Sequence, residues 1–72
     1  MYSLEKHLAY IDECMDNVET SEALADLAME RRKISRLILE NPGILERRRI
    51  LEQSRDRVEE ILLTERLRAN YS

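Results

Sequence analysis

We expect the chain to reverse at the stretch Leu39-Glu40-Asn41-Pro42-Gly43-Ile44, which holds the only proline and the only glycine among 72 residues. Pro42 lacks an amide hydrogen and its ring clashes with the carbonyl four residues earlier, so no regular helix passes through it. The same stretch predicts a helix start, with Asn41 as N-cap, Pro42 at the first helical position and Glu46 in the first turn. Because the gap is short, we expect two antiparallel helices, the first ending near Glu40 and the second beginning near Pro42.

Upstream of the turn, apolar residues recur with helical periodicity in two segments. The first segment spans 3–17, with Ser3 as a candidate N-cap. Its apolar stripe is Leu4, Leu8, Ile11, Met15 and Val18. The spacing fails after Val18, which predicts a break with Thr20 or Ser21 capping a second helix over 21–40. The alternative is one long helix that is kinked near residue 20.

The second helix carries an apolar arc with a charge in its middle. The arc consists of Ala23, Leu24, Leu27, Ala28, Ile34, Leu37 and Ile38. Arg31 lies within it, and a buried charge is costly unless it is paired. We expect Arg31 to extend its guanidinium to the edge of the arc, to pair with Asp56 on the third helix, or to pair across a dimer.

The third helix, predicted over 42–69, carries two apolar stripes. The main arc is Ile44, Ile50, Leu51, Val58, Ile61 and Leu62. The second stripe consists of Leu63, Leu67 and Tyr71 and projects in a different direction. Because this helix is longer than its neighbours, its C-terminal end should extend past them. The second stripe would then stay exposed unless a partner covers it. Glu65 also falls on the apolar arc, too far along the helix to pair with Arg31 in the same chain.

Composition indicates one helical domain over 1–72 that gains stability by self-association. A core of this size contributes little net stability, and one cysteine forms no internal disulfide. His7 and Cys14, seven residues apart, are interpreted as core-edge residues rather than metal ligands, so we expect no metal and no cofactor. The longest apolar run, 8–11, is far too short for a membrane span, and no signal peptide is recognisable. The prediction is an all-α antiparallel hairpin or three-helix bundle, dimeric and cytoplasmic.

Charge divides the chain into two unlike parts. Residues 1–30 contain eight acidic residues and one basic residue, whereas residues 31–72 contain eleven basic and seven acidic residues. Reversal at the turn gathers the basic residues at one end, opposite an acidic end. The predicted partner-binding patch is Arg31, Arg32, Arg36, Arg47, Arg48 and Arg49. Most of these charges are expected to form salt bridges on solvated surfaces.

The sequence supports three functional hypotheses, all non-enzymatic. No nucleophile stands beside a base in any catalytic motif. We expect first a small regulator, inhibitor or adaptor that binds another protein, as compact bacterial and phage chains often do, with Leu63, Leu67 and Tyr71 used for self-association. The second hypothesis is nucleic-acid binding by the arginines near the turn; the net charge of −3 and the absence of aromatic residues among them count against it. The third is an oligomeric scaffold that stacks basic end on acidic end.

Overall fold

Three packed α-helices form the protein. The computed structural model describes residues 3–71, with the backbone alone for Tyr71, and contains α1 (Leu4–Asn17), α2 (Ser21–Glu40) and α3 (Ile44–Tyr71). The described residues contain no strand. The molecule measures 44 × 18 × 16 Å. At 1.5 Å per residue the 28 residues of α3 span about 42 Å, so α3 runs the full length of the molecule.

Side-chain caps define where the first two helices begin. The hydroxyl of Ser3 accepts a hydrogen bond from the amide of Lys6, and the hydroxyl of Thr20 accepts one from the amide of Ala23, each at 3.2 Å. Val18 and Thr20 both have extended backbone angles, so the chain leaves the helical conformation between α1 and α2. The caps are as predicted, and the alternative of one kinked helix is wrong.

The turn differs from the prediction in its details. Asn41 is not the N-cap of α3 but the C-cap of α2, in the left-handed conformation (φ 48°, ψ 60°), and its amide donates to the carbonyl of Leu37. Pro42 is not helical, because α3 begins at Ile44. The reason is that Pro42 excludes the right-handed helical region for Asn41, and asparagine tolerates the left-handed one. The carbonyl of Gly43 then accepts the first α3 hydrogen bond, from Arg47.

The core is aliphatic and receives residues from all three helices. Its buried apolar members are Leu4, Ile11, Cys14, Ala23, Leu27, Ile34, Leu37, Val58 and Ile61. Leu8, Met15, Val18, Ile38, Ile50, Leu51 and Leu62 pack around them and are half-buried. Each fully buried leucine, isoleucine or valine contributes about 1.5–3 kcal/mol relative to exposure. The predicted apolar stripe of α1 is confirmed, and so is most of the main arc of α3.

Two predicted core positions, Leu24 and Ile44, are wrong because both side chains are exposed. Arg31 extends its guanidinium to the edge of the arc, one of the three expectations, and pairs there with Asp12 of α1 rather than with Asp56. The inward side of α2 includes Glu30, one position before Arg31. The inward line of α2 is Ala23, Leu27, Glu30, Ile34 and Leu37. Leu24 and Arg31 each follow a residue of this line by one position, so they lie at its edge rather than on it. Ile44 lies in the first turn of α3, at the end of the molecule that α1 does not reach.

Both ends of the bundle extend beyond α1. With 14 residues against 20, α1 is about 9 Å shorter than the antiparallel α2, so the end of α2 and the start of α3 form a two-helix hairpin. At the opposite end, Glu65 of α3 contacts Thr20 in the α1–α2 connection. The residues of α3 after Glu65 therefore extend past that connection, as predicted from the length of the helix.

Candidate interaction surfaces

Three large aliphatic side chains surround the turn and are almost fully exposed. Leu39, Ile44 and Leu45 have 85%, 76% and 81% of their surface accessible. All three lie in the hairpin that α1 does not cover. We call this surface, 39–45, the hairpin tip. Single exposed leucines are ordinary in soluble proteins, but three large aliphatic residues within seven positions concentrate exposed apolar surface at one end of the molecule.

The six arginines predicted as a binding patch have different surroundings. Arg31 pairs with Asp12 on the α1 side, and Arg49 pairs with Glu46 at 2.7 Å within its own helix. Arg47 is half-buried, whereas Arg48 is exposed beside the hairpin tip. The remaining two, Arg32 and Arg36, line a groove between α2 and α3.

That groove lies on the side of the bundle opposite α1 and has a volume of about 390 Å³. Its apolar lining comes from Met29, Leu37 and Ile50. Its polar lining comes from Arg32, Lys33, Arg36 and Glu40. We call this feature the α2–α3 groove. It combines apolar side chains with a basic rim, an arrangement that the linear sequence did not predict because its members come from two helices.

A second apolar surface lies near the other end of α3. Leu63 and Leu67 are 55% and 50% exposed and stand one helical turn apart. We call this pair the α3 stripe. The third residue predicted to belong to it, Tyr71, has its side chain outside the described residues. Glu59 and Glu60, one turn before Leu63, are also exposed.

A polar layer crosses the middle of the core, with one residue from each helix. His7 Nε2 and Ser54 Oγ form a hydrogen bond of 2.8 Å between α1 and α3, and both residues are buried. Glu30 of α2 is buried as well and forms an ion pair of 3.2 Å with Lys33. His7 is fully buried rather than at the core edge as predicted, and the burial of Glu30 and Ser54 was not predicted. His7, Glu30 and Ser54 share one sequence signal. Each lies three positions after one apolar residue of the core and four positions before the next.

The surroundings of the polar layer set the ionisation of His7. Burial lowers the pKa of His7, the charge of Arg55 lowers it further, and the charge of Glu30 acts in the opposite direction. The imidazole is therefore neutral near pH 7. His7 has no exposed surface, whereas Ser54 and Glu30 line a smaller groove of about 210 Å³ between α2 and α3. The layer therefore links the three helices and adjoins that smaller groove.

Glu65 closes the connection between α1 and α2. One of its carboxylate oxygens accepts hydrogen bonds from the amides of Glu19 and Thr20, at 2.8 and 2.9 Å, and from the Thr20 hydroxyl at 3.2 Å. These bonds satisfy donors just before α2, near the positive end of its dipole. The amide of Thr20 contributes most to lowering the pKa of Glu65. The predicted separation of Glu65 from Arg31 is confirmed.

Residues 3–71 contain neither a metal-binding group nor a membrane-spanning helix. No group of three or more histidine, cysteine or acidic residues in this range has a metal-binding arrangement. Nor does any helix in the described part of the chain have the length and hydropathy needed to cross a bilayer. Comparison with family models, curated proteins and solved structures finds no match.

Proposed function

We propose that this chain is a small non-enzymatic interaction protein, a regulator, inhibitor or adaptor, that binds another protein through the hairpin tip. One observation carries the proposal: Leu39, Ile44 and Leu45 are each more than three-quarters exposed at the same end of the molecule. Burying such a cluster against a partner removes apolar surface from water, the main favourable term in protein association.

The surroundings of the hairpin tip indicate the chemistry of the partner. Arg48 is exposed beside the tip, and Arg36 lies one turn before Leu39 on α2. A partner of complementary character offers an apolar pocket with acidic residues at its edge. The apolar contact would supply most of the affinity, and the charges would steer association and select the partner.

A capture experiment with two matched variants tests this function. The full chain and the variant Leu39→Ser/Leu45→Ser are immobilised and exposed to an extract of the source cells. Tyr10→Ser/Leu24→Ser, which changes two exposed apolar residues away from the hairpin tip, is the control. We expect wild type and control to retain one common protein, and the tip variant to lose it while keeping wild-type helicity by circular dichroism.

Photocrosslinking then shows whether the contact is direct. A benzophenone amino acid at position 45 should crosslink to the captured protein, and the same group at position 10 should not. Retention of the same protein by the tip variant, or crosslinking from position 10 alone, would contradict the proposal.

Nucleic-acid binding is the second candidate. The feature in its favour is the presence of Arg32, Arg36 and Arg48, all exposed, in the half of the molecule near the turn. Three phosphate contacts would produce a slope of about −3 when the logarithm of the binding constant is plotted against that of salt concentration. Arg47→Glu/Arg48→Glu should abolish binding if this candidate is correct. The adjoining aliphatic cluster favours a protein partner instead.

A further inference from the structure

We propose that the α2–α3 groove is the docking site for the α3 stripe of a second copy of this chain. In this arrangement two molecules lie side by side and antiparallel. Each chain inserts its Leu63 and Leu67 into the groove of the other, against Met29 and Ile50. The proposal uses surfaces other than Leu39, Ile44 and Leu45, so it does not depend on the proposed function.

Charge complementarity favours a second copy as the occupant. The groove lining has three basic residues, Arg32, Lys33 and Arg36, against one acidic residue, Glu40. The α3 stripe has two exposed acidic residues before it, Glu59 and Glu60, and an exposed basic residue beside it, Arg66. Glu60 also pairs with Arg57 at 3.2 Å, an exposed pair that contributes little and can exchange partners.

The positions of the two surfaces along the molecule suit a two-fold pair. The groove lies in the half of the bundle near the turn, and the α3 stripe lies in the opposite half. When two copies align antiparallel, the groove of each therefore stands beside the stripe of the other. Both contacts form at once, and the assembly closes as a dimer instead of growing into a filament.

The dimensions of the molecule allow an interface of adequate size. A stable interface buries about 800 Å² on each partner, which is close to the whole projected area of one 44 × 18 Å side of the molecule. The molecule exposes 5477 Å², compared with roughly 4,700 Å² expected for a compact chain of this mass. An elongated monomer of this kind has surplus surface along its length.

A charge-swap experiment tests the pairing directly. Variant one is Arg32→Glu/Arg36→Glu, which makes the groove rim acidic; variant two is Glu59→Arg/Glu60→Arg, which makes the stripe surroundings basic. Each variant alone places like charges across both contacts of its own dimer. In a one-to-one mixture, however, the acidic groove meets the basic stripe and the unchanged groove meets the unchanged stripe.

Solution mass by light scattering over a concentration series is the readout. We expect wild type to dimerise, each variant alone to have its Kd raised about 100-fold, and the mixture to return to dimer mass. Arg48→Glu, which alters an exposed arginine outside the groove, is the control and should remain dimeric. Circular dichroism checks that every variant is folded.

Four outcomes would overturn the proposal. These are a wild-type monomer at all concentrations, variants that still dimerise alone, a mixture that stays monomeric, and a mass that grows without limit. A dimer that survives both charge reversals would place self-association elsewhere, with the hairpin tip as the next surface to examine.

Discussion

His7 of α1 and Ser54 of α3 are joined by a hydrogen bond of 2.8 Å inside the core of the bundle. Polar residues at buried positions of helical bundles reduce stability but specify which helices pair and in what alignment. Because α1 is short, this bond is an important determinant of its position along α3. The polar layer is therefore expected to contribute more to structural specificity than to stability.

Removing one partner of this bond should be more damaging than removing both. Ser54→Ala leaves the imidazole of His7 without its Ser54 partner, and we expect the free energy of unfolding to fall by about 1–3 kcal/mol. The double variant His7→Leu/Ser54→Ala should recover part of that loss, since neither member of the hydrogen-bonded pair is left behind. Urea denaturation of the two single variants and the double variant measures the coupling. Ser35→Ala, at a half-buried serine of α2, is the control, and strict additivity of His7→Leu and Ser54→Ala would contradict the prediction.

Stability should decrease as the solution is acidified below the ordinary histidine pKa of about 6.5. The pKa of His7 is lowered in the folded chain, chiefly by burial. The unfolded chain therefore binds the proton first, and the stabilisation present above pH 6.5 is lost as the pH falls through the folded pKa. Urea denaturation between pH 7.5 and about pH 5 should show this slope in wild type, and His7→Gln should flatten it. An equal slope in both proteins would show that another group is responsible.

The Glu65 carboxylate should stabilise the connection between α1 and α2. Glu65→Ala removes the acceptor for the amides of Glu19 and Thr20, and a lower melting temperature is expected. Glu65→Gln keeps an acceptor oxygen but not the charge, so it should lose less. Thermal unfolding of both variants beside Glu59→Ala, an exposed control, provides the comparison. Since the pKa of Glu65 is lowered, its stabilisation should be present at neutral pH and disappear only as the pH falls through that lowered value.

Asn41 and Gly43, on either side of Pro42 in the turn, should respond to substitution in opposite ways. Asn41→Ala places alanine in the left-handed region and should destabilise the protein by about 1 kcal/mol, whereas Asn41→Gly should be neutral or stabilising. Gly43 does not have a positive φ angle, and a Cβ there meets open space. Gly43→Ser should therefore stabilise by about 0.5–1 kcal/mol, by capping α3 and restricting the unfolded chain. Calorimetry can measure all three variants, and destabilisation by Gly43→Ser would contradict this account of the turn.

Several features of the fold were predictable because their causes lie within a few residues. Pro42 ends the helical segment that precedes it, and the hydroxyls of Ser3 and Thr20 cap the helices that follow them. These effects depend on local backbone geometry, so the predicted helix bounds agree with the structure to within about two residues. Apolar periodicity likewise identified Leu4 and Ile11 as core residues. The hairpin tip was recognisable as a turn, but its exposed aliphatic side chains were not anticipated.

The sequence by itself therefore determined the all-helical fold, the approximate helix bounds, the reversal at Pro42 and the separation of acidic from basic segments, whereas the structure decided that α1 and α2 are separate helices. Only the tertiary structure decided that Glu30 rather than Arg31 faces inward, that Glu65 caps the α1–α2 connection, and that Arg32 and Arg36 line a groove beside Ile50. The physical reason is distance along the chain. Helix starts and ends depend on neighbouring residues, whereas helix rotation and alignment depend on packing between side chains up to 47 positions apart, as His7 and Ser54 are.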